Sequence, residues 1–222
     1  MEKAPTASGE LGLRELNRLQ TRKRLRDAAA EVFARRGYNA ATTREIAEVA
    51  ELAQSTLFRH VPDKAELLFL VMNEALDVAL ETGRRAASQM SGATVAVRLA
   101  AFYRPRYQLL ADWVELGRQF VRESAITITD REAVGPETLR SRLRRQTVQD
   151  AVAEILDECV RAGVLDNATP ISDCSRMINS LYLMEIRHFL NETTPDEAKG
   201  IAMLEKMFSI ALKGFTAQNA HR

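Results

Sequence analysis

The sequence predicts an all-α protein of about nine helices, arranged as a small N-terminal domain and a larger C-terminal one. From Leu16 onwards, nearly every segment carries apolar residues at the helical period, and no segment alternates as a half-buried strand would. Helix starts and stops are also marked. Pro136 and Pro170 stand where a first helical residue is expected, and Gly163 stands just past a long periodic segment. A chain of 222 residues is long enough for a core in each domain.

The first helix is predicted to follow a loose, polar tail over residues 1–15. It begins at Leu16 or Thr21 and runs to Arg36, because Gly37 is typical of the residue that follows a helix end. Its apolar stripe consists of Leu25, Ala28, Ala29, Val32 and Phe33.

Two short helices follow, joined by a turn of only a few residues. Thr42 and Glu45 have the spacing of a capping box, which predicts a helix over 43–50. A second helix is expected from Gln54 to His60, and Pro62 then lies near the start of a fourth helix. The apolar residues of the short helices can meet each other and the first helix; they are Ile46, Val49, Ala50, Leu57 and Val61. This arrangement is a helix-turn-helix supported by a third helix.

The second short helix is predicted to project Gln54, Ser55, Phe58 and Arg59 outward. Glutamine can hydrogen-bond adenine, hydroxyls can contact either kind of base pair, and an aromatic edge can touch a thymine methyl. Between Arg22 and Lys64 there are nine basic and six acidic residues, an excess that favours phosphate contacts. We therefore predict a DNA-binding domain over residues 16–62. The alternative is a helical protein-interaction module that does not bind DNA.

In this block the chain resembles the TetR family of transcriptional regulators. The residues that carry the resemblance are Arg22, Ala28-Ala29, Phe33, Gly37-Tyr38, Thr42-Thr43, Ile46-Ala47, Thr56-Leu57-Phe58, His60 and Lys64-Ala65-Glu66-Leu67. Two features depart from the family pattern. Phe58 stands where the family usually has tyrosine, and Glu51-Leu52-Ala53 replaces the commoner Gly-Val-Ser of the turn, which removes a permissive glycine and a good N-cap.

The resemblance implies a role for individual residues. Those expected to face bases are Gln54, Ser55, Thr56 and Phe58, with Arg59 beside them. Those expected near phosphates are Thr43, Arg44, His60 and Lys64. It further implies a homodimeric repressor that binds a palindromic DNA operator and is released by a small-molecule inducer.

Residues 63–217 are predicted to form the ligand-binding and dimerisation domain. The aromatic residues expected to line a ligand pocket are Phe102, Tyr103, Tyr107, Trp113 and Phe120. The basic cluster of Arg140, Arg142, Arg144 and Arg145 either neutralises an anionic ligand or forms salt bridges. The last two helices carry long apolar stripes, which either pair with those of a second copy or close the core of the monomer. These stripes consist of Ile171, Cys174, Ile178 and Leu181, then Ile201, Leu204, Phe208, Ala211, Leu212 and Phe215.

Other classes of protein are disfavoured. Cys159 and Cys174 lie far apart without metal-ligand spacing, so we expect neither a metal site nor a disulfide scaffold. The sequence lacks the common catalytic and nucleotide-binding motifs, and none of its three histidines stands beside a plausible nucleophile. We therefore expect no enzymatic activity and no cofactor. Without a signal-peptide core or a membrane-spanning apolar run, we expect a cytoplasmic protein that does not associate with membranes.

Overall fold

A computed structural model describes residues 12–129 and 135–215, which form nine α-helices, one 3₁₀ turn and no strand. The predicted all-α fold is confirmed. The helices are α1 (Leu13–Ala40), α2 (Thr43–Val49), α3 (Gln54–His60), α4 (Lys64–Gln89), α5 (Val95–Asp112), α6 (Val114–Thr129), α7 (Pro136–Arg161), α8 (Ile171–Asn191) and α9 (Glu197–Leu212).

The chain divides into two compact units, and the division falls between Leu67 and Leu68, in the first turn of α4. In the N-terminal unit, all five residues of the predicted α1 stripe are buried. They pack with the inward residues of α2 and α3, where Ile46 and Leu57 are completely buried. Neither short helix could bury its apolar face alone, so the core of this unit depends on all three helices.

The start of α1 differs from the prediction. The helix begins at Leu13, within the segment expected to be a tail, and the earlier part of that segment lies outside the described residues. At the other end, Gly37 interrupts the helix with a φ of 73°, a conformation that glycine adopts at little cost. The expected stop is therefore present, although three further residues, 38–40, return to helical geometry.

The larger unit is built on α5, which packs against α7, α8 and α9. Its centre is aromatic: Tyr103 stacks on Tyr182 with ring centroids 4.3 Å apart, and Tyr107 meets Phe189 edge-on at 4.9 Å. The helix α5 continues through Pro105 without splitting. Each α5 aromatic in this cluster is completely buried, so the cluster is a packed core.

The apolar stripes of α8 and α9 close the core of the monomer. Cys174 and Ile178 on α8 are buried, as are four residues of α9: Ile201, Leu204, Phe208 and Leu212. Of the two alternatives for these stripes, closure of the monomer core therefore applies to the buried positions. Several apolar residues of these helices stay at least partly exposed, among them Met177, Leu181 and Met184 on α8, with Met203, Met207 and Ile210 on α9. We call this set the outer stripe.

Candidate nucleic-acid interface and ligand cavity

The helix α3 has the predicted bounds and presents the predicted face. Gln54, Ser55 and Arg59 are exposed, and 45% of Phe58 is accessible to solvent. Leu57, on the opposite side, is completely buried and anchors the helix to the N-terminal core. Thr56 and His60 are half-buried at the edges. A polar face with one exposed aromatic ring is therefore held rigidly outward.

The turn between α2 and α3 is a Schellman motif, in which the Leu52 N–H donates to Ala47 O at 2.9 Å and the Glu51 N–H donates to Glu48 O at 3.0 Å. This motif needs a left-handed residue, and Glu51 takes that position with a φ of 53°. The turn thus keeps the usual geometry without the usual glycine, at a cost in backbone strain.

Arg24 holds this strained turn. Its guanidinium Nη2 donates to Ala50 O at 2.6 Å and to Glu51 O at 3.0 Å. Sequence reasoning missed this role, because Arg24 lies within a run of basic residues that looks like a solvated face. The N-cap residue of α3 is Ala53, whose side chain cannot make a capping hydrogen bond.

Lys64, which was expected near phosphates, is bonded to backbone carbonyls of the chain. Its ammonium donates to three carbonyl oxygens at the end of α1: Tyr38 O at 3.0 Å, Ala41 O at 3.1 Å and Asn39 O at 3.2 Å. It also lies 4.6 Å from the centre of the Tyr38 ring. An ammonium has three N–H donors, and all three are used here. In this arrangement Lys64 fixes the end of α1 and has no donor left for a phosphate.

The other residues expected near phosphates lie on α2 and α3. Thr43 is half-buried, and Arg44 is exposed and paired with Glu48 at 3.0 Å. A surface pair of this kind is weak, so Arg44 can exchange its partner for a phosphate at little cost. The pKa of His60 lies below its ordinary value of 6.5, because partial burial and the charges of Arg59 and Arg18 disfavour the imidazolium.

A cavity of about 300 Å³ lies within the larger unit. Its wall is mainly apolar, formed by Leu76, Leu110, Phe120, Val121, Ala125, Val148, Leu183 and Ile186, with Tyr182 beside them. These residues come from α4, α5, α6, α7 and α8. The volume lies at the lower end of the range for small-molecule sites.

Only one of the five aromatic residues expected in the pocket lines this cavity, namely Phe120. Phe102, Tyr103 and Tyr107 are completely buried in the core, and Trp113 caps the end of α5 away from the cavity wall. Burial raises the pKa of the Tyr103 phenol, so its hydroxyl stays protonated and donates to Asn179 Oδ1 at 2.6 Å. Four of the five aromatic residues expected in the pocket therefore lie outside the cavity wall.

The basic cluster on α7 is largely salt-bridged. Arg140 pairs with Glu74 at 3.0 Å and with Asp77, and Arg144 Nε lies 2.6 Å from Asp77 Oδ1. Arg144 and Arg145 also line the cavity, and they are joined there by Arg106, Arg176 and Arg187. Among these, Arg106 is 2% exposed.

Two further findings concern the described part of the chain as a whole. Residues 12–129 and 135–215 contain no cluster of histidine, cysteine or acidic side chains arranged to hold a metal ion. Within the same ranges, none of the helices combines the length and apolar character needed to cross a bilayer.

The N-terminal unit is similar in sequence to known regulatory proteins. Residues 25–71 match the family model of the bacterial regulatory proteins, tetR family. The chain is 39% identical over 54 residues to YvkB, an uncharacterized HTH-type transcriptional regulator of Bacillus subtilis (strain 168), across 24% of this chain and 29% of that protein. It is 38% identical over 85 residues to the HTH-type transcriptional activator FasR of Mycolicibacterium smegmatis, across 38% of each protein. The chain therefore spans less than half the length of these relatives.

The fold is similar over most of the chain. The crystal structure of Thermus thermophilus FadR, a TetR family transcriptional repressor in complex with lauroyl-CoA, superimposes with a TM-score of 0.66 at 24% identity, covering 90% of this chain and 98% of that one. At this identity the likeness shows the fold alone. The sequence match over residues 25–71 shows that the N-terminal unit resembles the bacterial regulatory proteins of the tetR family, and most of the chain shares the fold of the Thermus thermophilus structure.

Proposed function

We propose that this protein is a transcriptional repressor, which binds a palindromic operator as a homodimer and is released from it by a small molecule. The observation that carries the proposal is the exposed face of α3, where Gln54, Ser55 and Phe58 stand clear of a helix anchored by Leu57. A major groove admits one such helix. The residues beside it fit phosphate contacts, which position a protein without reading sequence.

Each exposed residue on α3 has a matching role in base recognition. Gln54 can make a bidentate contact with adenine, and Ser55 can donate or accept at either kind of base pair. Phe58 lacks the hydroxyl of the family's usual tyrosine and offers an apolar contact, for which a thymine methyl is the natural partner. We therefore expect an operator half-site that contains A·T pairs.

The test is selection of duplexes from a random pool by the full-length protein. We expect enrichment of a palindrome whose half-sites are centred about 34–36 Å apart, the spacing of two reading helices on one face of DNA. Gln54→Ala should lose discrimination at one base position, worth about 1–3 kcal/mol, whereas Arg44→Ala should weaken binding similarly on every sequence. If no duplex were enriched even at low salt, DNA binding would be excluded and a helical protein-interaction module would remain.

The ligand part of the proposal rests on the cavity and on the continuity of α4. Leu76 of α4 lines the cavity, and Lys64, the first residue of the same helix, is bonded to the end of α1. A ligand that displaces α4 can therefore alter the DNA-binding unit, and a coupling of typical size would weaken operator binding about 5- to 150-fold. Because the Thermus thermophilus relative is described in complex with lauroyl-CoA, acyl compounds are the first ligands to titrate. If no small molecule changed operator affinity, this part would fail.

A further inference from the structure

The cavity has an unusual balance of charge. Among the described residues that line it there are five arginines and no acidic side chain. Arg144 is compensated by Asp77 at 2.6 Å, and Arg176 forms an ion pair with Asp173. Arg106, Arg145 and Arg187 have no such partner within residues 12–129 and 135–215. The wall therefore retains an excess of positive charge that an anionic ligand would neutralise.

Of these arginines, Arg106 has the greatest need of a partner for its charge. It is almost completely buried, yet neither guanidinium nitrogen Nη1 nor Nη2 has a hydrogen-bond partner in the described structure. Its neighbours are aromatic rings, with the guanidinium carbon 5.2 Å from the centre of Phe102, 5.6 Å from Tyr103 and 5.9 Å from Tyr182. Such contacts are worth far less than the cost of burying an unpaired charge.

Arg98, another buried arginine in the same unit, shows how such a charge can be compensated. Arg98 is buried to a similar extent, and its Nη2 lies 2.5 Å from the Glu158 carboxylate while its Nε donates to Ala87 O. Among residues 12–129 and 135–215, Arg106 has no carboxylate in the equivalent role. An unpartnered cation inside a cavity therefore points to a charge supplied from outside the chain.

Asn179 adds a second donor at the same cavity. Its Oδ1 already accepts the Tyr103 hydroxyl at 2.6 Å, while its Nδ2 is buried without a partner. Both groups left unsatisfied, the Arg106 guanidinium and the Asn179 amide, are donors. A carboxylate offers two acceptor oxygens and one negative charge, and it matches the planar fork of arginine.

We propose that the cavity binds a free monocarboxylate with an apolar body, whose carboxylate is held by Arg106 and Asn179. The apolar wall, including Leu110, Val148 and Ile186, covers the body of the ligand. The acyl end of an acyl-CoA cannot neutralise the charge of Arg106, because the thioester is uncharged. This inference deepens the ligand part of the proposed function and rests on it. Direct binding is tested apart from DNA, so failure here would leave operator recognition standing.

The first experiment uses the unmodified protein. Octanoate, decanoate and dodecanoate are titrated by calorimetry, each beside the alcohol of the same chain length, with lauroyl-CoA as a separate arm. We expect at least one acid to bind about 10- to 100-fold more tightly than its alcohol, the effect of a charged hydrogen-bonded pair in a buried site. Equal affinities of all three acids and their alcohols would overturn the proposal. Binding of lauroyl-CoA alone would do the same.

The second experiment separates ligand binding from packing. Arg106→Met should abolish the preference for the acid and leave alcohol affinity unchanged, while the melting temperature without ligand stays level or rises. Arg106→Lys keeps the charge without the fork and should retain part of the preference. The matched control is Arg104→Met, two residues away on α5, where the arginine is exposed and paired with Glu197 at 3.1 Å. A lower melting temperature for Arg106→Met with unchanged acid affinity would assign Arg106 to the core instead.

Discussion

His60, at the end of α3, is the residue on the proposed DNA-binding surface whose charge can change near neutral pH. Partial burial and the nearby Arg59 and Arg18 hold its pKa below 6.5, so it is largely neutral at pH 7 in the free protein. A phosphate beside the ring would have the opposite effect, since it stabilises the imidazolium. If His60 contacts the DNA backbone, the complex binds more protons than the free protein does.

Operator affinity should therefore increase as the pH falls. Between about pH 8 and pH 5.5 we expect the dissociation constant to decrease, by up to roughly tenfold for each unit by which DNA raises the pKa of each His60. Fluorescence anisotropy with a selected duplex measures this dependence, and His60→Gln should remove most of it. A pH profile that is the same in the variant would place His60 away from the phosphates.

The roles of individual charged residues could not be predicted from the sequence. Lys64 and Arg24 stand in basic surroundings, and a lysine that binds phosphate looks the same in sequence as one that binds backbone carbonyls. The structure gives both residues positioning roles: Lys64 at the end of α1 and Arg24 at the turn before α3. These roles depend on backbone carbonyl groups that the tertiary fold brings together. The sequence does not show which carbonyl groups will lie close to one side chain.

At the scale of elements, helix limits were predicted well where capping residues act locally. Thr42 caps α2 by accepting the Glu45 N–H at 3.1 Å, as the spacing of the two residues predicts. The bounds of α3 also match, although its N-cap residue, Ala53, makes no capping hydrogen bond with its side chain. The helix α9 is capped by Asp196, whose carboxylate accepts the Lys199 N–H, although Thr194 lies only two residues earlier. Threonine and aspartate both cap helices, and when two such residues lie close together the sequence does not decide between them.

Two helix ends in this chain share one motif and differ at its key residue. Both α2 and α7 end in a Schellman motif, with Glu51 in the left-handed position of the first and Gly163, with a φ of 70°, in that of the second. A residue with a side chain in this conformation destabilises the folded state by about 1–2 kcal/mol relative to glycine. Glycine offsets part of this advantage, because its greater conformational freedom stabilises the unfolded chain.

Glu51→Gly should therefore raise the free energy of unfolding by up to about 1 kcal/mol, and Gly163→Ala should lower it by about 1 kcal/mol. Equilibrium unfolding in urea measures both changes. Since open space surrounds the added Cβ at Gly163, its effect isolates backbone strain. If Glu51→Gly were destabilising, the ion pair between the Glu51 carboxylate and Arg24, at 3.3 Å, would outweigh the strain.

Burial of whole helix faces was the hardest feature to assign from sequence. For the α8 and α9 stripes the sequence left a dimer interface and a monomer core as alternatives, and it predicted a pocket for the α5 aromatics; most of these residues are buried in the core of the monomer. An apolar stripe has the same period whether it faces its own chain or a second one. The arginine that the structure singles out, Arg106, could not be distinguished by sequence either, because its lack of a partner is a property of the assembled cavity.

At the scale of the whole molecule, the proposed operator binding needs two copies of the chain, and the outer stripe is the surface we propose for their contact. Its residues lie on two helices that pack against each other, and they include Met184, Met203 and Ile210, each with more than a third of its surface exposed. Groups of exposed large apolar residues can mark interaction surfaces. The buried halves of α8 and α9 give this surface a rigid base.

Ile210→Asp should therefore separate the dimer into monomers. Burial of an isoleucine contributes about 1.5–3 kcal/mol, and the change occurs twice in a symmetric dimer, so the dissociation constant should rise roughly 100-fold or more. Analytical ultracentrifugation over a range of concentrations measures this shift. The control is Val78→Asp on α4, because Val78 and Ile210 are 67% and 66% exposed and so face solvent equally in one chain. If both variants stayed dimeric, the contact would lie elsewhere. If only Ile210→Asp dissociated, it should also lose affinity for the palindrome while still binding a single half-site weakly, since each monomer keeps its own α3.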